Sequence, residues 1–193
     1  SFLIEVYAFL LEYHARWYAA NPSHAGKDNI TTRDGLPKLT IGRRQAILLN
    51  NVFGVDIDFQ ATEVTQLSLY LKLLEDVTME EADTFAQRKR RLLPDLRKNI
   101  VCGNSIVEED YWGMMNAEAN DPAEERRINA LDYDVAFEGI MRRGGFDAVV
   151  GNPPYVRQET LGEGFKRYVK ERYKVYHGTA DLYTYEGDNH NIS

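Results

Sequence analysis

The 193-residue chain has the length and the 44% hydrophobic content of one globular domain with its own core. Its one cysteine excludes an internal disulfide framework and favours a reducing, cytoplasmic compartment. No apolar run reaches the roughly 18 residues of a membrane span, and the first residues lack the pattern of a signal peptide. The net charge of -7 argues against a protein that binds nucleic acid with its whole surface.

The first predicted element is a helix over residues 2–20, followed by the helix-stopping pair Asn21-Pro22. Apolar side chains recur in it at three- and four-residue steps, which indicates an amphipathic helix. This apolar stripe comprises Phe2, Val6, Phe9, Leu10, Tyr13 and Trp17. The turn-rich stretch 23–38 is predicted to be a loop. Thr40 is expected to cap a short helix that ends near Leu49.

Residues 52–75 are predicted to form a strand followed by a helix, with Asp58 as the helix N-cap. The helix has its own apolar stripe, made of Ala61, Val64, Leu67, Leu71 and Leu74. A carboxylate at the carboxyl end of a strand can accept both hydroxyls of a ribose, and Asp56 stands at that place. Ile57 would then lie against the base of the same nucleoside. A turn or capping carboxylate is the alternative for Asp56, but Asp58 already has that role.

A charged insertion over residues 76–98 contains the run Arg88-Lys89-Arg90-Arg91, for which a solvated surface is favoured over a contact to DNA phosphates. A short strand at 99–102 leads to Gly103-Asn104-Ser105, a turn whose amide side chain can both donate and accept hydrogen bonds. Cys102 is predicted to be a small buried hydrophobic residue. A second insertion spans 106–145, and Asp121-Pro122 is a start signal for a helix within it.

Residues 146–156 combine a short apolar strand, Ala148 to Val150, with the sequence Asn152-Pro153-Pro154-Tyr155. Two prolines cannot continue a strand ladder, so the chain turns in a stiff, extended corner. Amide and carbonyl oxygens at such a corner can accept two hydrogen bonds from a planar NH2 group, and the tyrosine ring can stack on the flat system that bears it. The letters also fit an Asn-Pro-x-Tyr sorting peptide, but such peptides lie in disordered tails.

This corner resembles the catalytic loop of the amino-methyltransferases that use S-adenosylmethionine, and its flanks resemble the adenine-specific DNA methyltransferases. The stretches Arg127 to Met141 and Ala180-Asp181-Leu182-Tyr183 resemble in particular the large single-chain enzymes that fuse modification with restriction. The resemblance implies an α/β fold, a Rossmann-like methyltransferase sheet with flanking helices. The sequence departs from the family pattern after Glu186, where it becomes polar.

The resemblance also implies the roles of individual residues. Asn152, Pro153, Pro154 and Tyr155 would be catalytic, and Asp56, Ile57, Asn104 and Ser105 would hold S-adenosylmethionine. The substrate would be double-stranded DNA with the adenine flipped out of the stack. A separate target-recognition domain or subunit would read the sequence, and none is evident in this chain. No metal site is expected, because the four histidines are scattered singly.

A basic helix is predicted over residues 160–174, within a stretch that has six basic and three acidic side chains from Arg157 to Lys174. A solvated helix face is the usual explanation of such a run. Its position beside the proline corner instead favours DNA contacts through Arg157, Lys166, Arg167 and Lys170.

The glycine-rich first motif of the family is not found, and only its tail matches, as Ser1-Phe2-Leu3. We therefore expect an incomplete sheet without its first strand, unless strands 52–57 and 148–150 pair directly. The chain alone should bind S-adenosylmethionine weakly and be inactive. Two alternatives stay open: a methyltransferase acting on another planar amine, such as a release-factor glutamine or an RNA guanine, and a non-catalytic binding module.

Overall fold

The computed structural model describes residues 2–26, 29–33, 36–114, 122–151 and 163–172. The chain divides into two compact units. The first comprises Ser1–Gly54 and Asp58–Val101, and the second comprises Val55–Ile57 and Cys102–Ser193. Within the described residues, no helix is long and apolar enough to cross a membrane.

Three helices form the frame of the first unit: α1 (Phe2–Ala20), α2 (Ile41–Asn51) and α3 (Phe59–Leu74). Their shared core includes the fully buried side chains of Tyr7, Leu48, Leu69 and Leu73. The Tyr7 hydroxyl donates a hydrogen bond of 3.0 Å to the carbonyl oxygen of Arg44. Burial raises the pKa of this phenol far above its ordinary value. Tyr7 therefore joins α1 to α2 through both packing and a polar contact.

Helix starts in this unit follow the local capping rules. The Thr40 hydroxyl accepts from the N–H of Arg43 at 3.2 Å, and the Asp58 carboxylate accepts from the N–H of Gln60 at 2.8 Å. Both caps confirm the predicted starts of α2 and α3. A further helix, α4 (Met79–Gln87), begins with a capping box between Thr78 and Glu81 inside the charged insertion.

Two short strands, β3 (Gly54–Asp56) and β4 (Ile100–Cys102), pair with each other. In the first unit, the N–H of Gly54 donates to the carbonyl of Asn99 at 2.8 Å. In the second unit, the N–H of Gly103 donates to the carbonyl of Asp56 at 2.9 Å. The start of β3 thus lies beside the start of β4, and the end of β3 lies beside the end of β4, so the two strands are parallel. Both strands lie inside the predicted ranges 52–57 and 99–102.

The loop predicted over residues 23–38 is wrong. A short 3-10 helix, Pro22–His24, is followed by a hairpin of β1 (Ile30–Arg33) and β2 (Leu36–Leu39), which pair antiparallel. Leu39 is buried in the core of the first unit, so tertiary packing stabilises strands in a stretch whose composition favours turns.

The apolar stripes predicted for α1 and α3 lie mostly on exposed surface. On α3, Val64, Leu67 and Leu71 are 62%, 58% and 66% exposed, whereas Leu69 and Leu73 are buried. On α1, the exposed apolar residues are Phe2, Val6, Phe9, Tyr13 and Trp17. Each helix has a second apolar face, around Tyr7 on α1 and Leu69 on α3, and this face packs in the first unit.

The second unit contains five described helices: α5 (Asp110–Met114), α6 (Pro122–Ile128), α7 (Tyr133–Ala136), α8 (Glu138–Met141) and α9 (Glu163–Arg172). Its core includes Val107, Tyr111, Ile128, Tyr168 and Val169. The helix expected after Asp121-Pro122 is confirmed as α6. The predicted basic helix is confirmed over Glu163–Arg172, and the rest of its range lies outside the described residues.

Ala148 to Val150 form no strand, contrary to the prediction. Val149 and Val150 are 42% and 64% exposed, and no strand among the described residues pairs with this segment. In particular, the considered pairing of 148–150 with the strand that contains Asp56 is not found: among the described residues, β3 belongs to a two-stranded sheet with β4. Without a strand partner, the backbone groups of such an exposed segment can bond to water.

Candidate functional site

The carboxyl ends of β3 and β4 lie side by side in the second unit. The hydrogen bond from the N–H of Gly103 to the carbonyl of Asp56 fixes this arrangement at 2.9 Å. Asp56 is exposed at the end of β3, and Ile57 beside it is 53% exposed. An acid and an apolar side chain therefore leave one strand end next to the turn that holds Asn104 and Ser105.

Close packing explains the glycine in that turn. A Cβ on Gly103 would come within 2.9 Å of Cδ1 of Leu131, so any side chain there would require Leu131 to move. Cys102 precedes it and is half-buried, which corrects the prediction of a buried hydrophobic residue. Its Sγ donates to the carbonyl oxygen of Ile57 at 3.5 Å and accepts from Nδ2 of Asn129 at 3.4 Å. The thiol thus has a structural role at the strand ends.

Asn104 organises the turn after β4. Its Oδ1 accepts from the N–H groups of Ile106 and Val107 at 3.0 and 3.2 Å, and its Nδ2 donates to the carbonyl of Ile128 at 3.0 Å. The two bonds at Oδ1 use the two lone pairs of an amide oxygen. An amide nitrogen has two hydrogens, so Asn104 can offer a ligand a donor but no further acceptor. The three hydrogen bonds support a structural role of Asn104 in the turn, and its remaining amide hydrogen is the group that a ligand can use.

Asn129 is the residue that sequence reasoning missed. It follows α6 with a backbone φ of 48° and donates its own N–H to the carbonyl of Glu125 at 2.8 Å. Its carbonyl accepts from the N–H of Asn104 at 2.7 Å, and Ala130 forms a parallel bridge with Asn104. An asparagine directly after a helical pattern is a known left-handed helix end, and this signal could have identified it.

The predicted catalytic residues Asn152, Pro153, Pro154 and Tyr155 lie outside the described residues, as does Arg157. The structure describes the approach to them up to the exposed Gly151. It also describes α9, which follows them. On this helix Arg167 and Lys170 are exposed, in accordance with a surface role, and the Lys166 side chain lies outside the described part of the structure.

Helix α9 is attached to the segment after the Asn104 turn. The Tyr168 hydroxyl accepts from the N–H of Glu108 at 3.1 Å and donates to the Asp110 carboxylate at 2.8 Å. Arg172 forms ion pairs with Glu108 at 3.0 Å and with Asp110 at 3.6 Å. Burial, followed by the contacts with the acidic side chains, raises the pKa of the Tyr168 hydroxyl well above its ordinary value.

In the part of the chain that the structure describes, a further hydrogen bond reaches the Asn104 turn, and no set of metal ligands is found. No group of three His, Cys, Asp or Glu side chains could hold a metal ion there. The Tyr133 hydroxyl donates to the carbonyl oxygen of Ser105 at 3.1 Å, which ties α7 to the Asn104 turn. The strand ends are thus surrounded by hydrogen-bonded side chains.

The model of the Eco57I restriction-modification methylase family matches residues 50–186. The chain belongs to this family. The match covers β3, β4, the Asn104 turn, residues 152–155 and α9. The Eco57I-family match therefore includes both of the strand ends that meet at Asp56 and Gly103.

Three curated proteins resemble this Eco57I-family chain. The Type II restriction enzyme and methyltransferase RM.Eco57I of Escherichia coli is 26% identical over 91% of the chain, which spans 16% of that protein. A putative Type II restriction enzyme and methyltransferase of Methanocaldococcus jannaschii, RM.MjaORFECS2P, is 44% identical over 32% of the chain and 5% of its own length. The release factor glutamine methyltransferase of Clostridium botulinum is 40% identical over 32% of the chain and 22% of its length.

The matched parts of the chain therefore span 16% of RM.Eco57I, 5% of the Methanocaldococcus jannaschii protein and 22% of the Clostridium botulinum protein. No solved structure is significantly similar to it. Membership in the family supports a Rossmann-like α/β fold, of which the described residues contain helices and the small parallel pair β3–β4.

Proposed function

We propose that the chain is part of a methyltransferase that moves a methyl group from S-adenosylmethionine to the exocyclic amine of adenine in duplex DNA, within a restriction-modification enzyme. The observation that carries the proposal is the hydrogen bond from the N–H of Gly103 to the carbonyl of Asp56, because it brings two strand ends with polar side chains together. Ligands of open α/β sheets bind at such ends. The Eco57I family match supplies the methyl-transfer chemistry.

The residues at these two strand ends offer the contacts that the nucleoside part of the cofactor requires. The exposed Asp56 carboxylate can accept both ribose hydroxyls, and the exposed Ile57 side chain can pack on the adenine ring. Asn104 donates through Nδ2 to a ring nitrogen, because its oxygen already accepts from two backbone N–H groups. Ser105 completes the turn, with its carbonyl held by Tyr133. When bound, the cofactor supplies an electrophilic methyl group beside these residues.

The Asn152 corner orients the amine that receives the methyl group. The Asn152 side-chain oxygen and the Pro153 carbonyl would accept hydrogen bonds from its two N–H groups, which would hold the nitrogen in place and draw electron density onto it. The amine would receive the methyl group that the bound cofactor supplies, and the proton that the amine loses would pass to water. Positioning is the main contribution of the protein, because the leaving group is cationic and needs no acid. Tyr155 stacks on the base after it has left the duplex, and Pro154 sets the direction of the ring.

Replacement of Asn152 tests the proposal. In the full-length protein, Asn152→Ala should abolish transfer of labelled methyl groups to duplex DNA, while calorimetry shows unchanged affinity for S-adenosylmethionine. Nucleoside analysis of DNA treated with the wild-type protein should show 6-methyladenine. The matched control is Asn50→Ala, an exposed asparagine on α2, which should leave methylation unchanged. Retained methylation by Asn152→Ala would overturn the assignment.

A second candidate substrate class is a protein glutamine amide. The 40% identity to a release factor glutamine methyltransferase over 65 residues favours it, since any planar NH2 group fits the corner. Parallel assays with duplex DNA, RNA and release factor separate these substrates. We expect incorporation into DNA alone; incorporation into release factor alone would establish the second candidate.

A further inference from the structure

A polar cluster in the second unit fixes the helix that follows the Asn152 corner. We name Glu108, Asp110, Tyr168 and Arg172 the acidic clamp. The fully buried Tyr168 accepts a hydrogen bond from the Glu108 backbone and donates one to the Asp110 carboxylate. Arg172, one turn later on α9, pairs with both carboxylates at 3.0 and 3.6 Å. Four polar contacts thus join α9 to one short segment.

Apolar packing supports the clamp on the same face of α9. The Tyr111 ring meets the Tyr168 ring edge to face, with centroids 5.4 Å apart, and Val169 is fully buried beside them. A Cβ on Gly164 would come within 2.8 Å of the Tyr111 hydroxyl, so the helix start approaches α5 closely. The rotation of α9 about its own axis is therefore determined by this face.

The opposite side of α9 presents cations to solvent. Arg167 and Lys170 are exposed, whereas the guanidinium of Arg172 pairs with the two carboxylates of the clamp. Among the cationic side chains of α9 that the structure describes, Arg172 therefore holds the helix, and Arg167 and Lys170 are exposed. Phosphate contacts of outward cations fix the register of a protein on duplex DNA.

The clamp also joins two functional stretches along the chain. Glu108 lies three positions after Ser105, and Tyr168 lies thirteen positions after Tyr155. The acidic half therefore follows the proposed cofactor turn, and the tyrosine half follows the proposed catalytic motif. A shift of α9 would move the two exposed cations relative to the Asn104 turn of the same unit.

From this geometry we propose that Tyr168 is a positioning residue for the DNA substrate: through the acidic clamp it holds Arg167 and Lys170 where they contact the DNA backbone. The inference rests on the proposed function, since it takes duplex DNA as the substrate. It assigns Tyr168 no contact with the reacting atoms.

Steady-state methylation by the full-length protein tests this role. Tyr168→Phe keeps the ring and removes the hydroxyl, so the KM for duplex DNA should rise about fivefold to tenfold. The kcat and the calorimetric affinity for S-adenosylmethionine should stay within about twofold, because the strand ends are not altered. Asp110→Ala should raise the KM similarly, and Asp110→Asn should rescue it, since an amide oxygen still accepts from Tyr168.

A double-mutant cycle separates positioning from general damage. In an Arg167→Ala/Lys170→Ala background, adding Tyr168→Phe should raise the KM no further, because the cations it positions are gone. Full additivity of the changes, or a loss of cofactor affinity with an unchanged KM for DNA, would overturn the inference. If Tyr168→Phe fails to fold, the contrast between Asp110→Asn and Asp110→Ala decides the same question.

The outcomes for the two proposals differ. A wild-type protein that methylates no DNA overturns the proposed function and this inference with it. A wild-type protein that methylates DNA, together with a Tyr168→Phe variant of unchanged KM, overturns this inference alone.

Discussion

The side chain of Asn99 bonds to the backbone around the end of α2: its Nδ2 donates to the carbonyl oxygen of Val52 at 2.9 Å and to that of Leu49 at 3.0 Å. Asn99 is only 5% exposed, and its own carbonyl accepts from Gly54 at the start of β3. Asn99, directly before β4, therefore joins the end of α2 to the start of β3.

Replacement of Asn99 should destabilise the protein strongly. Asn99→Ala leaves two buried carbonyl groups without their amide donor, at a cost of roughly 2–3 kcal/mol in the free energy of unfolding. Urea denaturation followed by circular dichroism measures this change. Asn50→Ala, at an exposed position of α2, is the matched control and should change stability by less than about 0.5 kcal/mol. Equal effects of the two substitutions would contradict the structural role of Asn99.

Replacement of the neighbouring carboxylates Asp56 and Asp58 should affect two different properties, the cofactor affinity for Asp56 and the stability for Asp58. Asp56→Ala in the full-length protein should weaken S-adenosylmethionine binding at least about tenfold with little effect on stability, because the exposed carboxylate is proposed to hold the ribose. Asp58→Ala removes the N-cap of α3 and should cost about 1 kcal/mol of stability while cofactor affinity stays within about threefold. Calorimetric titration and urea denaturation of both variants check the pair. The reverse pattern would place the ribose at Asp58.

Local chemistry made the helix starts predictable. Thr40 and Asp58 each cap a helix through a bond two or three residues along the chain, so the sequence contains both partners of the interaction. The strand ends at Asp56 and Cys102 were predictable for a similar reason, because an apolar run stops at a polar turn. Asn104 was assigned to a ligand, and its bonds to Ile106, Val107 and Ile128 show that it also builds the turn.

Long-range packing set the limits of prediction. Val64, Leu67 and Leu71 have the spacing of a core stripe, but α3 buries its other apolar face around Leu69. Periodicity identifies an apolar face without saying which of two such faces has a partner. Ala148 to Val150 have the composition of a buried strand, yet a strand requires a neighbour to complete its hydrogen bonds, and composition contains no information on that neighbour. Likewise, the pairing of Tyr168 with Asp110 spans 58 positions.

The capping box of α4 gives a local prediction inside the charged insertion. The Thr78 hydroxyl accepts from the N–H of Glu81 at 3.2 Å, and the Glu81 carboxylate accepts from the N–H of Thr78 at 2.9 Å. Thr78→Ala should lower the free energy of unfolding by about 1 kcal/mol. Thr84→Ala, the same substitution at an exposed position within α4, should be neutral or slightly stabilising. Urea midpoints of the two variants measure the contrast. A Thr78→Ala midpoint equal to that of the wild type would show that α4 forms without the capping box.

His14 gives the first unit a pH-dependent stability. Burial and then the nearby Arg43 guanidinium, whose Nη2 lies 3.4 Å from Nδ1 of His14, lower the pKa of this imidazole below its ordinary value of 6.5. The unfolded chain then binds the proton more readily than the folded chain. The contribution of His14 to stability is therefore present above pH 6.5 and is lost as the pH falls through the lower pKa of the folded state.

His14→Gln should remove that part of the pH dependence. Between about pH 8 and about pH 5, the urea midpoint of the wild-type protein should fall more than that of His14→Gln, because the variant has no proton to bind at this position. His24→Gln, at an exposed histidine, is the control and should follow the wild-type profile. A His14→Gln profile parallel to that of the wild type would mean that folding does not lower the pKa of His14.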